Sequence, residues 1–339
     1  TPSIQEQAAA ALPEWEGVPT EASEALRALL SAWRTAESLR EAALAPLSAE
    51  ERDLVERFGG TLYVDDSAEE GSGPLLAAGN RMALARLVEA ELVLAETAAF
   101  VRRDLAAFTG KPWPTSRVEH EGVWLAVGGP GPDTHTATIV LDAGGNDSYV
   151  DCGWVIDLGG DDVYRGCGRG RLANALIVDL AGNELYTGGD FVQGAALFGA
   201  SLYVDVAGDD RYEASQCSQG AGVFGVGMLF DLAGDDGYRG ARFVQAFHHH
   251  VAALLVHRAD FLDAVLRAFQ RQDGGHLDGR EGAVVVIALD ARQGGHQIAV
   301  ADHEADAPAG HVVALGKGEE LHAHLFGARD LEEAVRLVS

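Results

Sequence analysis

A nine-residue acidic turn recurs five times between residues 141 and 238, and no other feature of the sequence limits the fold so tightly. The copies are LDAGGNDSY (141–149), IDLGGDDVY (156–164), VDLAGNELY (178–186), VDVAGDDRY (204–212) and FDLAGDDGY (230–238). A sixth, degenerate copy is GGPGPDTH (128–135), where Asp133 takes the place of the second acid and His135 that of the tyrosine. The tyrosines at 149, 164, 186, 212 and 238 are 15, 22, 26 and 26 residues apart. The last spacing extends beyond the turn, since Gln193, Gln219 and Gln245 lie 26 apart, as do Phe198 and Phe224. A whole unit therefore repeats. A unit of that length holds two or three short strands, cannot bury its own apolar face, and gains a core only by stacking on its neighbours. The expected fold is mainly β, with a right-handed parallel β-solenoid core between residue 122 and about residue 261.

The flanks read differently. Residues 21–57 carry apolar positions at three- and four-residue spacing, interrupted at Pro46, and the segment Gly79 to Phe108 repeats the pattern. An α-helical capping domain is expected over 1–112. The solenoid with its acidic turns and a terminal capping helix, ADFLDAVLRAFQRQ, is assigned to 113–274, and a small α+β appendage to 275–339. In the appendage AVVVIALDA and HQIAVAD read as paired strands, HVVALG as a third, and EELHAHL and ARDLEEAVRLV as helical. In the last register, His257 falls where Asp231 stands one unit earlier, so the acidic turn has decayed there.

In a stacked repeat, equivalent residues lie about 4.8 Å apart, so the motif writes ladders of charge. Asp142, Asp157, Asp179, Asp205 and Asp231 form one; Asp161, Asp209 and Asp235 a second; Asp147, Asp162, Glu184, Asp210 and Asp236 a third. Two carboxylates at that separation repel by roughly 3 to 4 kcal/mol at an effective dielectric near 20. Protonation, full solvent exposure or a bound cation must offset this. A hard, oxygen-seeking ion suits carboxylates together with the carbonyls of a glycine-rich turn, so calcium is expected and the aspartates of the three ladders are the candidate metal ligands. The competing reading is that Asp and Asn form side-chain-to-backbone turns in water; the doubled acid favours an ion, because a turn needs one such residue and not two. In the third copy Asn183 and Glu184 replace the acid pair, and weak or absent binding is expected there.

On Gly159, Gly160, Asp162 and Tyr164, and again on Gly234, Asp236 and Tyr238, the turn resembles the calcium-binding RTX nonapeptide family over about 120 residues. The resemblance implies calcium held between stacked turns of a secreted protein. The whole-unit pattern is also similar to uncharacterised bacterial proteins with repeated Asp-Leu-Gly-Gly-Asp-Asp-x-Tyr turns.

A formal charge of −27 sets nucleic acid and anionic membrane surfaces against a repulsive field, leaving calcium ions and a glycan or protein ligand as expected partners. No apolar run is long enough to span a bilayer as a helix. The chain starts at Thr1, which fits a processed N-terminus; a secreted, periplasmic or cell-surface location is expected, with the cytoplasm left open. No Gly-x-Ser-x-Gly, phosphate loop or His-Glu-x-x-His occurs, so no catalytic residue is singled out. A scaffold for binding is therefore preferred. The alternatives are a carbohydrate-active lyase or hydrolase, with Arg211, Arg239 and Arg242 as the nearby bases, or a peptide-modifying enzyme using His248, His249, His250 and His257. Cys152 and Cys167, each five residues past the second acid, should be stacked neighbours, either as buried thiols or as a disulfide. The three glutamines should form an amide ladder.

Overall fold

The computed structural model describes residues 18–58 and 72–241, and beyond these the strand residues 248–249, 252–256, 284–290, 295–301, 313–317 and 320–324. It is mainly sheet, preceded by helices. Expectations for Gln245, His250, His257, the helix after residue 260 and ARDLEEAVRLV lie outside the described residues.

Three parallel sheets are built from equivalent segments of successive repeats. The longest runs Val123–Gly128, Ile139–Asp142, Trp154–Asp157, Asn174–Asp179, Ala200–Asp205, Val226–Asp231 and Ala252–Val256. Its register carries Asp142 onto Asp157, Asp179, Asp205 and Asp231 in turn. A second sheet stacks Thr134–His135, Ser148–Val150, Val163–Arg165, Leu185–Thr187, Arg211–Glu213 and Gly237–Arg239, with His135 on Tyr149 and each tyrosine on the next. A third contains Gly170–Arg171, Ala196–Leu197, Gly222–Val223 and His248–His249. The third sheet explains the uneven period. The 15-residue unit from Asp142 to Asp157 holds only two strands, and the units lengthen to 22 and then 26 where a strand of the third sheet is inserted.

The long strands read as continuous apolar runs because both of their faces are covered. One face, carrying Val140, Val155, Ile177, Tyr203 and Leu229, clusters with the tyrosines of the second sheet. The other, with Ile139, Trp154, Leu176, Leu202 and Val204, joins the core of the helices. These are α1 (Thr20–Leu44), α2 (Ala49–Phe58), α3 (Ser72–Gly79) and α4 (Ala85–Phe100). The break at Pro46 is followed by a capping box, in which Ser48 Oγ accepts from Glu51 N–H at 3.3 Å and Glu51 Oε2 from Ser48 N–H at 2.8 Å. Helices α1 and α4 pack together and lie along the outer face of the long-strand sheet, so the helical unit flanks the stack along its side.

After the repeats, Val284–Asp290 joins the long-strand sheet beside Ala252–Val256 through Leu255 and Ala288, and pairs antiparallel with Gly295–Ala301. The strands expected at AVVVIALDA and HQIAVAD are present. The expected helix at EELHAHL is instead a strand, Glu320–His324, antiparallel to Val313–Lys317. Seven residues are too few to sustain an isolated helix, and pairing with an adjacent strand satisfies the same backbone groups.

Candidate metal centre

Alternation along each long strand sets where the first ladder of acids points. Asp142, Asp157, Asp179, Asp205 and Asp231 are each two residues beyond Val140, Val155, Ile177, Tyr203 and Leu229, so they share the inner face with them. All five are buried, at 0–1% exposure. The acid pair of the turn is split. Its first member, Asp161, Asp209 or Asp235, with Asn146 and Asn183 at the equivalent positions, stands in solvent. There Asp161 Oδ1 accepts from Asn183 N–H at 3.0 Å, and Asn183 Oδ1 from Asp209 N–H at 3.0 Å. The second member, Asp147, Asp162, Glu184, Asp210 or Asp236, is buried beside the first ladder.

The structure therefore brings together nine of the twelve aspartates expected to ligate metal and leaves Asp161, Asp209 and Asp235 on the surface. The buried groups form clusters whose oxygens lie within 4.8 Å of one another: Asp142 with Asp147 and Asp157; Asp157 with Asp162 and Asp179; Glu184 with Asp205 and Asp210; Asp210 with Asp231 and Asp236. These clusters can hold a metal ion. A further group, Asp133, His135 and Asp142, lies at the degenerate first turn, where His135 Nε2 is 2.7 Å from Asp142 Oδ2. Glu184 belongs fully to the column at 2% exposure, although its coil was expected to be the weakest.

A ladder of hydroxyls serves the first acids. His135, Tyr149, Tyr164, Tyr186, Tyr212 and Tyr238 stack with ring centroids 4.6–5.4 Å apart. Each of the first three tyrosines donates to the aspartate one level on: Tyr149 to Asp157, Tyr164 to Asp179 at 2.6 Å, Tyr186 to Asp205 at 2.6 Å. Tyr238 donates to Asp231 of its own level. Their spacing places the tyrosines at equivalent positions of successive repeats but does not reveal that their hydroxyls are partners of the acids. The constant seven-residue interval from first acid to tyrosine was the available signal.

Burial excludes solvent as the means of relieving the repulsion. It raises the carboxyl of Asp147 to about 7, Asp162 to about 6, Asp231 to about 7 and Glu184 to about 11, with neighbouring carboxylates adding to the effect. Asp157, Asp179 and Asp205 are pushed well above the carboxylate range for the same reason. Protons or cations must occupy the column. With protons alone, Tyr164→Phe leaves Asp179 Oδ2 without its donor while keeping the ring stack, and should cost about 1 to 3 kcal/mol in chemical denaturation under chelating conditions. Tyr212→Phe should cost little there, because the Tyr212 hydroxyl has no partner to lose.

The glutamines behave otherwise than expected. Gln193 Nε2 donates to the carbonyls of Tyr186 (2.9 Å) and Glu213 (3.0 Å), and Gln219 Nε2 to those of Tyr212 (3.4 Å) and Arg239 (3.1 Å). Each amide bridges two levels through the backbone, and no amide-to-amide ladder forms between them. Both residues sit at a corner with φ 57°, where strand-end carbonyls are the acceptors at hand. Cys152 and Cys167 are buried neighbours, with Cys152 N–H 3.4 Å from Cys167 Sγ, and none of the three cysteines is in a disulfide.

No family model matches this chain, and neither the curated proteins nor the solved structures contain a match to it.

Proposed function

We propose that the chain is a calcium-stabilised, right-handed parallel β-solenoid serving as a rigid scaffold for binding a glycan or protein at the cell surface or outside the cell. The observation that carries this reading is the column of buried carboxylates, continuous over five repeats, with carboxylate oxygens close enough to share ions. Equivalent residues stacked in register through three parallel sheets are what a solenoid requires. Oxygen-only clusters suit calcium among the common ions, because it accepts many carboxylate ligands in flexible geometry. Among the described residues no helix is long and apolar enough to cross a membrane.

The carbohydrate-active alternative needs an open face lined by convergent acids and arginines. The convergent acids are internal, Arg211 and Arg239 are exposed away from them, and α1 and α4 cover the outer face of the long-strand sheet. A scaffold fits these positions better than a cleft enzyme. The test is metal analysis of the full chain after equilibrium dialysis against calcium, with thermal melts before and after EDTA. Bound calcium and a midpoint lowered by the chelator are expected. No bound calcium together with an unchanged midpoint would remove the reading.

A further inference from the structure

The acid column is not uniform along its length. In its first half the first-ladder acids are saturated. Asp142 is held by His135 and by Gly144 N–H at 3.0 Å, Asp157 by Tyr149 and by Gly159 N–H at 2.6 Å, and Asp179 by Tyr164 and by Ala181 N–H at 3.1 Å. Only Asp147 Oδ2 and Asp162 Oδ2 remain without partners there. Around Asp210 the picture reverses. Both carboxylate oxygens of Glu184, with Asp205 Oδ1, Asp210 Oδ2 and Asp231 Oδ1, are buried and unpartnered. The turn N–H bonds that saturate Asp142, Asp157 and Asp179 do not reach Asp205 and Asp231.

An independent group points into the same place. Tyr212 is fully buried, and its hydroxyl has no hydrogen-bond partner. Its ring stacks on Tyr186 at 4.7 Å and 16°, so its hydroxyl projects as Tyr186's does, toward the acids, and it faces the charges of Asp205, Asp231 and Asp210. Its equivalent acceptor one level on, Asp231 Oδ2, is taken by Tyr238. A neutral oxygen is left aimed at a cluster of unpaired carboxylates.

Resting on the reading above, we propose that one dominant cation site lies at Glu184, Asp205 and Asp210 with Tyr212 Oη as a neutral ligand, and that the site is selective for calcium over magnesium. Five unpaired oxygens gather there, with one each from Glu184, Asp205 and Asp210 within 4.8 Å of one another, close to the six that begin calcium's coordination range. The ligands are at most 2% exposed, which leaves little room for the waters that magnesium retains, whereas calcium accepts an all-protein shell. The first half of the column, with its oxygens already bonded, has little to offer an ion.

The test is calcium binding to the full chain by equilibrium dialysis, with excess magnesium in a parallel arm, for wild type, Glu184→Gln, Tyr212→Phe and Asp147→Asn. Wild type should hold a single tight equivalent that magnesium does not displace. Glu184→Gln should lose it. Tyr212→Phe, which keeps the ring stack and serves if Glu184→Gln fails to fold, should bind on the order of tenfold more weakly. Asp147→Asn should weaken binding less than Glu184→Gln does. Equal losses in Asp147→Asn and Glu184→Gln, unchanged affinity in Tyr212→Phe, or displacement by magnesium would overturn this site while leaving the calcium scaffold standing. A wild-type chain that takes up no calcium would overturn the scaffold reading, and this site with it.

Discussion

In chelator, the midpoint of thermal unfolding falls as the pH is raised from about 5 to about 8, and in calcium it does not. The sign follows from the direction of the shifts. The carboxyls of Asp147, Asp162 and Asp231 titrate at about 7, 6 and 7 in the fold, above the ordinary aspartate value of 3.8, and Glu184 at about 11. A group whose folded pKa is raised binds its proton more tightly in the native state. Its contribution is fully present below the unfolded value and is lost as the pH rises through the folded one. Without an ion, three of these groups therefore withdraw their support between about pH 4 and pH 7, and Glu184 continues to do so above that range. With calcium the dependence inverts, because the ion binds the ionised form and competes with protons. At a calcium concentration a thousandfold above Kd the stabilisation is about 4 kcal/mol, or roughly 10 °C for a domain of this size, largest at the alkaline end. Parallel curves in EDTA and calcium across the whole range would show that protons alone fill the column.

Gly160→Ala should be the most damaging single methyl in the repeat. Gly160 has φ +148°, and a Cβ there would overlap the Gly145 carbonyl oxygen. Gly182, Gly208 and Gly234 meet the carbonyls of Gly160, Gly182 and Gly208 in the same way, so the second small residue of the turn is where one level's backbone rests on the next. The obstacle is backbone and not the end of a movable side chain. Relief requires separating two levels of the stack, which also pulls apart the acids and the tyrosines. A loss of about 3 to 5 kcal/mol is expected from strain and lost stacking together. Gly189→Ala is the control: nothing lies within 4 Å of its Cβ, and its effect should stay within about 0.5 kcal/mol. Urea unfolding of the two variants compares them directly; equal midpoints would mean that the close approach between levels is not what demands glycine.

The same contact explains a detail of the motif. The position before this glycine is Gly in copies one and two and Ala in copies three to five, whereas the second position is Gly in all five. Only the second faces a carbonyl closely at every level from Gly145 to Gly234.

Stacking was legible from spacing alone. Residues 26 apart, such as Phe198 and Phe224, meet as neighbours with ring centroids 5.4 Å apart, and His135 takes the tyrosine position as its place in GGPGPDTH implied. The side on which each acid falls was not legible in the same way, because an aspartate that shapes a turn and one that is buried beside it are written with the same letter. The doublet looked like two equivalent ligands. The turn geometry sends Asp161, Asp209 and Asp235 to water and Asp162, Asp210 and Asp236 inward. For the first ladder, the alternation of the strand was a usable signal, since Asp205 sits two residues beyond the buried Tyr203.

By itself the sequence determined the repeat, its registers and the stacked columns of like residues, because periodicity is a property of the chain and parallel pairing only reproduces it in space. Tertiary structure alone decided that the columns are internal, that α1 and α4 lie along the sheet, and that the unpaired oxygens gather around Asp210. These depend on which hydrogen-bond donors and apolar surfaces arrive from elsewhere in the fold, and no local spacing encodes their arrival.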